Sequence, residues 1–180
     1  MHVVGEVRGM TQLGDFVYAI CAETSIIHQY FADTLSPLGE GIHVEGMRDP
    51  WDIAVCHHNR QLYVADYVYC IWRVSVDDRS CVKWLTSDTF HVWSLSLTSR
   101  RLLVTSLDGC LYQYSTDDGQ LLGVVELPQF VQDLWYAAET ARGTFVICHH
   151  GTREDDEQPA VSAAFTSVIL CQRLTNNRQY

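Results

Sequence analysis

The sequence predicts an all-β fold: a β-propeller built from about four four-stranded blades. Three observations predict it. First, the chain repeats itself. Cys70–Ser80 (CIWRVSVDDRS) and Cys110–Gln120 (CLYQYSTDDGQ) share a Cys, an aliphatic residue, an aromatic residue and S-x-D-D in the same order and spacing. Gln61–Asp66 and Arg101–Ser106 keep the same offset, and Trp51–Val55 and Trp93–Leu97 keep it to within two positions. Second, each unit holds short segments rich in Val, Ile, Leu, Tyr and Trp, separated by Gly, Asp, Asn or Ser. β-Branched and aromatic residues favour strands, and the separators favour turns. Third, no amphipathic helix competes. The best candidate, Asp133–Gly143 (DLWYAAETARG), is short, and the repeat already places its first part on a strand. Four strands per repeat of about 40 residues is the mark of a propeller blade.

The units are expected at about 5–46, 47–87, 88–128 and 129–166. In the first, Phe16–Cys21 and Ile26–Tyr30 supply the second and third strands, with Gly14-Asp15 as the turn before them. In the second unit the strands are Trp51–Val55, Gln61–Asp66, Cys70–Val76 and Cys81–Leu85. In the third they are Val92–Leu97, Arg101–Ser106, Cys110–Ser115 and Leu121–Leu127. Asp77-Asp78 and Asp117-Asp118-Gly119 close the hairpins between third and fourth strands, because Asp bonds its own backbone and Gly tolerates positive φ. In the fourth unit Val131–Ala137 and Gly143–His149 match the first two strands, and Ala160–Phe165 is the expected third. Residues 167–180 form a tail: Thr166–Tyr180 lacks the S-x-D-D hairpin but has the composition to add a last strand. An open end of such a repeat exposes unpaired edges, so self-association through blade edges is expected.

Alternation along the third strands puts Cys70, Trp72 and Val74 on one side and Ile71 and Arg73 on the other. Inner blades bury both sides. His28 shares the register of Trp72 and Tyr112, which predicts a core histidine.

Composition narrows function. At 180 residues and 47% hydrophobic, the chain can build one domain with a core. Its formal charge of −10 comes from 22 acidic and 12 basic side chains, with Lys83 the single lysine. That balance repels phosphate backbones, so nucleic acid is not the expected partner. No stretch approaches the uninterrupted apolar length of a membrane span, and the N-terminus has no leader-like basic and apolar regions, so no membrane association is expected. The seven cysteines lack C-x-x-C spacing and several lie in apolar runs, as free thiols of a reducing, cytoplasmic compartment do.

The second unit (Pro50–Val74, PWDIAV…QLYVADYVYCIWRV) resembles an NHL repeat. Pro50, Ile53, Val55, Leu62, Tyr63, Val64, Asp66, Ile71 and Val74 fit the pattern; Cys70 stands where Arg is usual and Asp52 where Gly is usual. The resemblance covers this one blade well and the other three units loosely. It implies a propeller, commonly six-bladed, used to bind protein or RNA, and so raises the reading that these four units are part of a six-bladed ring.

Cys56-His57-His58 and Cys148-His149-His150 are the residue types of a zinc site, but their separation is not a multiple of the repeat. The expected roles are turn residues beside a buried Cys. Asp66 is expected to cap the turn after its strand. Asp52 and Asp133 lie in first strands, which line a propeller's channel. There a metal-dependent propeller enzyme of the lactonase or amidating-lyase kind would place its ligands. The matching positions of the other units are Ser94, Ser96, Thr11 and Gln12, too few carboxylates for a cage. His91 stands at the channel mouth, and Trp51 and Trp93 recur at one register, as blade-packing residues or a partner surface. The sequence therefore predicts a non-catalytic scaffold for a protein partner, with no cofactor and no metal.

Overall fold

The computed structural model describes residues 5–67, 69–86, 91–98, 100–127, 131–141, 144–151 and 166–171, of which 131–133, 150, 151 and 166–171 by backbone alone. Four antiparallel sheets follow one another along the chain. Blade 1 contains β1 (Val7–Leu13), β2 (Phe16–Cys21), β3 (Ile26–Phe31) and the short β4 (Ile42–His43). Blade 2 contains β5 (Pro50–Cys56), β6 (Gln61–Asp66), β7 (Cys70–Ser75) and β8 (Cys81–Thr86). Blade 3 contains β9 (Val92–Leu97), β10 (Arg101–Ser106), β11 (Cys110–Ser115) and β12 (Leu121–Glu126). Blade 4 contains β13 (Val131–Glu139), β14 (Phe145–Gly151) and β15 (Thr166–Cys171). Among the described residues there is no helix, and so none long and apolar enough to cross a membrane.

Each blade is a simple meander, with strands hydrogen-bonded in chain order. The hairpins form where local chemistry allows. Gly14 takes φ +58° between β1 and β2. Asp78 Oδ1 accepts from Ser80 N at 3.0 Å in the β7–β8 turn, and Asp118 Oδ1 from Gln120 N at 3.2 Å in the β11–β12 turn.

The core lies between blades. Ile53, Val64 and Trp72 of blade 2 face Tyr18, Ile20 and Ile27 of blade 1. Tyr63, Ala65 and Ile71, on the opposite face of blade 2, meet Leu95, Leu102 and Val104 of blade 3. Leu103 and Leu111 of blade 3 meet Leu134, Ala137 and Ile147 of blade 4. Both faces of an inner blade are therefore buried, as the third-strand alternation predicted. First strands contact first strands: β1 lies against β5, β5 against β9 and β9 against β13. These four strands form the inner wall of the fold.

Three expectations are corrected. His28 is only half-buried. Its row, Met10–Ala19–His28, corresponds to Ile53–Val64–Trp72, but among the described residues no blade lies in front of blade 1 to cover it. Next, the third place in blade 4 belongs to Thr166–Cys171, paired with Phe145–His150, rather than to Ala160–Phe165, which lie outside the described residues. Finally, Cys148 and His149 sit inside β14 rather than at the start of a connection. Only Cys56 behaves as expected, ending β5 beside exposed His57 and His58.

A candidate interaction surface along the inner strands

The inner strands share a local irregularity. The pairing register of β1 with β2 shifts between Val7 and Gly9, and that of β5 with β6 between Pro50 and Asp52. In β9, Val92 and Ser94 have partners and Trp93 is skipped; in β13, Leu134 and Tyr136 have partners and Trp135 is skipped. The extra residue of each bulge is thus Arg8, Trp51, Trp93 or Trp135. A bulge re-aims the side chain it carries. Here the four re-aimed side chains meet. The Arg8 guanidinium carbon stands 4.3 Å from the Trp51 ring centroid. The Trp51 and Trp93 centroids are 5.0 Å apart, and those of Trp93 and Trp135 are 6.4 Å apart with planes at 63°. Such separations are those of favourable tilted aromatic pairs, and the first is within cation–π range. The result is a ladder crossing all four blades, half-buried at Trp51 and Trp93 and 50% exposed at Trp135.

Trp51 and Trp93 are both legible as a recurring register. Trp135 and Arg8 were missed, although Trp135 follows Trp93 at the same interval that separates Trp93 from Trp51, and Arg8 precedes Trp51 by that interval plus one position. The obscuring feature is the second bulge of β13, at Asp133, which shifts the apparent match.

Asp52 follows Trp51 and is used within the framework. Its Oδ1 accepts from Ile53 N at 2.8 Å and its Oδ2 from Leu95 N at 2.7 Å, tying blade 2 to blade 3. Burial pushes its carboxyl up to about 6, against the two backbone donors that favour the anion. Asp133 lies in the same inner wall by its backbone. The opposing polar links are likewise structural: Ser96 Oγ donates to Ala137 O, joining blades 3 and 4. Among the described residues no three His, Cys, Asp or Glu side chains gather as metal ligands would. The two Cys-His-His triplets do not converge: His57 and His58 are exposed in a turn of blade 2, while His149 is buried in blade 4.

His91 precedes β9 and lies against Tyr69, ring centroids 4.5 Å apart; Tyr69 is 41% exposed. The pair sits at the end of the fold where first strands begin, beside exposed Tyr67. Asp66 does more than cap a turn. Buried in blade 2, it accepts from Trp72 Nε1 at 3.0 Å, Asp49 N at 3.0 Å and Arg48 N at 3.2 Å, so it holds the segment that leads into β5. Blade 3 replaces it with Asp108, which accepts from Tyr112 Oη at 2.6 Å. A Ser–His contact that the sequence did not suggest joins Ser25 Oγ and His43 Nε2 at 3.0 Å. No described carboxylate orients that imidazole, as an activated serine would require.

No family model matches the chain, and no curated protein matches it. Solved structures do. The structure of U3-55K and that of the RRP9 WD40 repeats each superpose with a TM-score of 0.70 at 11% identity, covering 83% of this chain and 47% of theirs. The computationally designed Ika4 protein superposes with a TM-score of 0.66 at 10% identity, covering 95% of this chain and 94% of its own. At these identities the likeness establishes the fold, a β-propeller architecture of successive blades. The chain spans about half the length of the two WD40 chains it matches.

Proposed function

We propose that this chain is a non-catalytic propeller scaffold that binds a protein partner on its inner-strand aromatic ladder. The observation that carries the reading is the ladder itself. Four bulges in four blades aim one cation and three indoles along a single line, and Trp135 leaves half its surface to solvent. Tryptophan and arginine dominate the energetics of protein interfaces, and they do so from rigid, partly desolvated positions. Tyr67, Tyr69 and His91 extend the same aromatic character to the end of the fold. Likeness to WD40 propellers supports a scaffold role by analogy of fold alone.

The alternative of a channel-metal enzyme is less well supported. Both oxygens of Asp52 are engaged by backbone N–H groups, which leaves Asp133 without a second carboxylate to work with. An RNA-binding role, the other use of NHL propellers, is opposed by the charge of −10. The NHL-like pattern of Pro50–Val74 supports a kinship of blade 2 with that family, and the buried free thiols Cys21, Cys56 and Cys70 support residence in a reducing compartment such as the cytoplasm.

The test compares wild type with Trp135→Ala and with Leu122→Ala, an exposed apolar residue on the outer strand of blade 3. Partners are captured from extract and identified by cross-linking mass spectrometry. The scaffold reading expects a protein cross-linked near Trp51, Trp93 and Trp135, lost with Trp135→Ala and kept with Leu122→Ala. Stoichiometric, tightly held zinc or calcium in the purified protein, or retention on single-stranded RNA that survives moderate salt, would overturn it.

A further inference from the structure

Every internal blade interface uses one repeated row of residues. On the side facing the preceding blade, the row is Ile53–Val64–Trp72 in blade 2 and Leu95–Val104–Tyr112 in blade 3, and it begins Ala137–Ile147 in blade 4. The first-strand members are almost completely buried: Ile53 is 4% exposed, Leu95 2% and Ala137 1%. The equivalent in blade 1 is Met10, and it is 67% exposed. Around it Val17, His28 and Tyr30 are only half-buried, although they share that face. The far face of blade 4 is open in the same way. Val146 and Cys148 are half-buried there, where the corresponding Tyr63 of blade 2 and Leu103 of blade 3 are 0% exposed. Among the described strands, blades touch only their neighbours in chain order to any extent. The four blades therefore form an arc with one unfilled blade-packing face at each end.

We propose that a second copy of this chain fills both faces, blade 1 of each copy packing on blade 4 of the other. Two observations select this occupant. The two faces are the complementary halves of the interface already made three times within the chain, so they fit each other rather than themselves. The arc also corresponds to 47% of the WD40 chains it superposes on, so two arcs account for one ring. A head-to-tail interface that closes after two copies makes a two-fold ring with two equal junctions; one that does not close grows into a filament. Polar groups on the blade 1 face, Gln12 and His28, explain how such a face stays soluble before pairing. This inference does not rest on the aromatic ladder as a partner site, and its test reads a different property.

Light scattering on the purified chain should give twice the chain mass of 20.5 kDa at micromolar concentration. Met10→Asp should give the single mass with an unchanged β-sheet circular-dichroism spectrum, while Leu122→Asp should leave the dimer intact. A photo-reactive residue at position 10, in mixtures of isotopically light and heavy protein, should cross-link to residues 144–151 of the other copy. A wild-type monomer, an open-ended oligomer series, equal dissociation by Leu122→Asp, or cross-links confined to one copy would each overturn the proposal. The last of these would instead mean that blade 4 closes on blade 1 within one chain.

Discussion

The carboxylate of Asp52 accepts a hydrogen bond from the backbone N–H of Leu95 at 2.7 Å, and so reaches from one blade into the next. Its other oxygen is held by Ile53 N, which fixes the direction of the reach. A small polar residue in this register recurs as Ser94 in β9, whose hydroxyl accepts from Thr105 Oγ1 at 3.1 Å. In β1 the position is Gly9, where an added Cβ would stand 3.2 Å from Ile53 N; the missing side chain lets β1 approach β5. Inner-wall positions that would hold ligands in an enzyme here hold blades together.

The buried Asp52 makes stability depend on pH in a defined sense. Its carboxyl ionises near 3.8 in a solvated chain and near 6 in the fold, mainly because burial disfavours the anion. The folded state thus holds this proton over a range in which the unfolded state has lost it. The associated stability is fully present below pH 4, declines as pH rises through 6, and is constant above, a loss of about 3 kcal/mol at most. Asp78, held down to about 2 by Ser75 and Ser80, acts in the opposite direction but only at lower pH. Urea unfolding should therefore give a lower midpoint at pH 7.5 than at pH 4.5. Asp52→Asn should remove that difference, while costing about 1–3 kcal/mol at pH 4.5 because its amide N–H₂ must oppose a backbone donor. A wild-type midpoint that rises over this interval would refute the assignment.

Asp66 should be the least replaceable side chain of blade 2. Asp66→Ala removes one acceptor from three donors, Arg48 N, Asp49 N and Trp72 Nε1. Leaving buried donors unsatisfied costs about 1–3 kcal/mol for each, so the variant should lose about 3 kcal/mol or more. Asp66→Asn keeps one acceptor oxygen and should lose less. Hydrogen exchange should show the loss locally, as faster exchange at Arg48 and Asp49. If the alanine variant melts with wild type, the three contacts are not holding the loop.

The meander of blades was legible because its determinants are local. A turn residue, a strand of period two and a repeat of blade length each leave a mark in the sequence, and strands such as Gln61–Asp66 and Arg101–Ser106 match to the residue. What was not legible depends on neighbours. His28 occupies the register of Trp72, but burial requires a blade in front of it, and sequence register does not say whether one is there. Asp66 looked like a turn cap because its partners at Arg48 and Asp49 precede it by 18 and 17 residues. The aromatic ladder was half legible. Two of its indoles announce themselves as WDIAV and WSLSL, whereas Trp135 is hidden by the extra bulge in β13.

Glycine substitutions should separate backbone strain from crowding. Gly14 has φ +58° with no atom within 4 Å of an added Cβ. Gly14→Ala therefore carries only the left-handed cost, about 1 kcal/mol. Gly41 has φ +83°, and its Cβ would stand 2.6 Å from the backbone oxygen of Ile27 in β3. That oxygen belongs to the strand pairing of β3 with β4, so it cannot move without disturbing the sheet. Gly41→Ala should cost at least twice as much as Gly14→Ala in thermal or urea unfolding. Equal losses would mean that β4 yields freely and does not anchor blade 1.

The ladder should behave as a coupled unit whose middle rung matters most to the fold and whose end rung matters most to binding. Trp93 touches Trp51 on one side and Trp135 on the other, so Trp93→Ala breaks both aromatic contacts and opens a gap in the inner wall. A half-buried indole in that position should cost about 2–3 kcal/mol, less than the full core value because part of its surface is already wet. Trp135 contributes to one of these two ring contacts and is 50% exposed, so Trp135→Ala should cost about 1 kcal/mol and leave the protein folded for partner assays. Circular dichroism distinguishes coupling from simple loss of an indole. Rings 5.0 Å apart share an excitation, so Trp51→Phe and Trp93→Phe should each abolish the same exciton band, and the double variant should remove nothing further. Additive spectral changes would show that Trp51 and Trp93 act separately, and would make Trp135 an exposed side chain of blade 4 rather than the open end of a rigid surface.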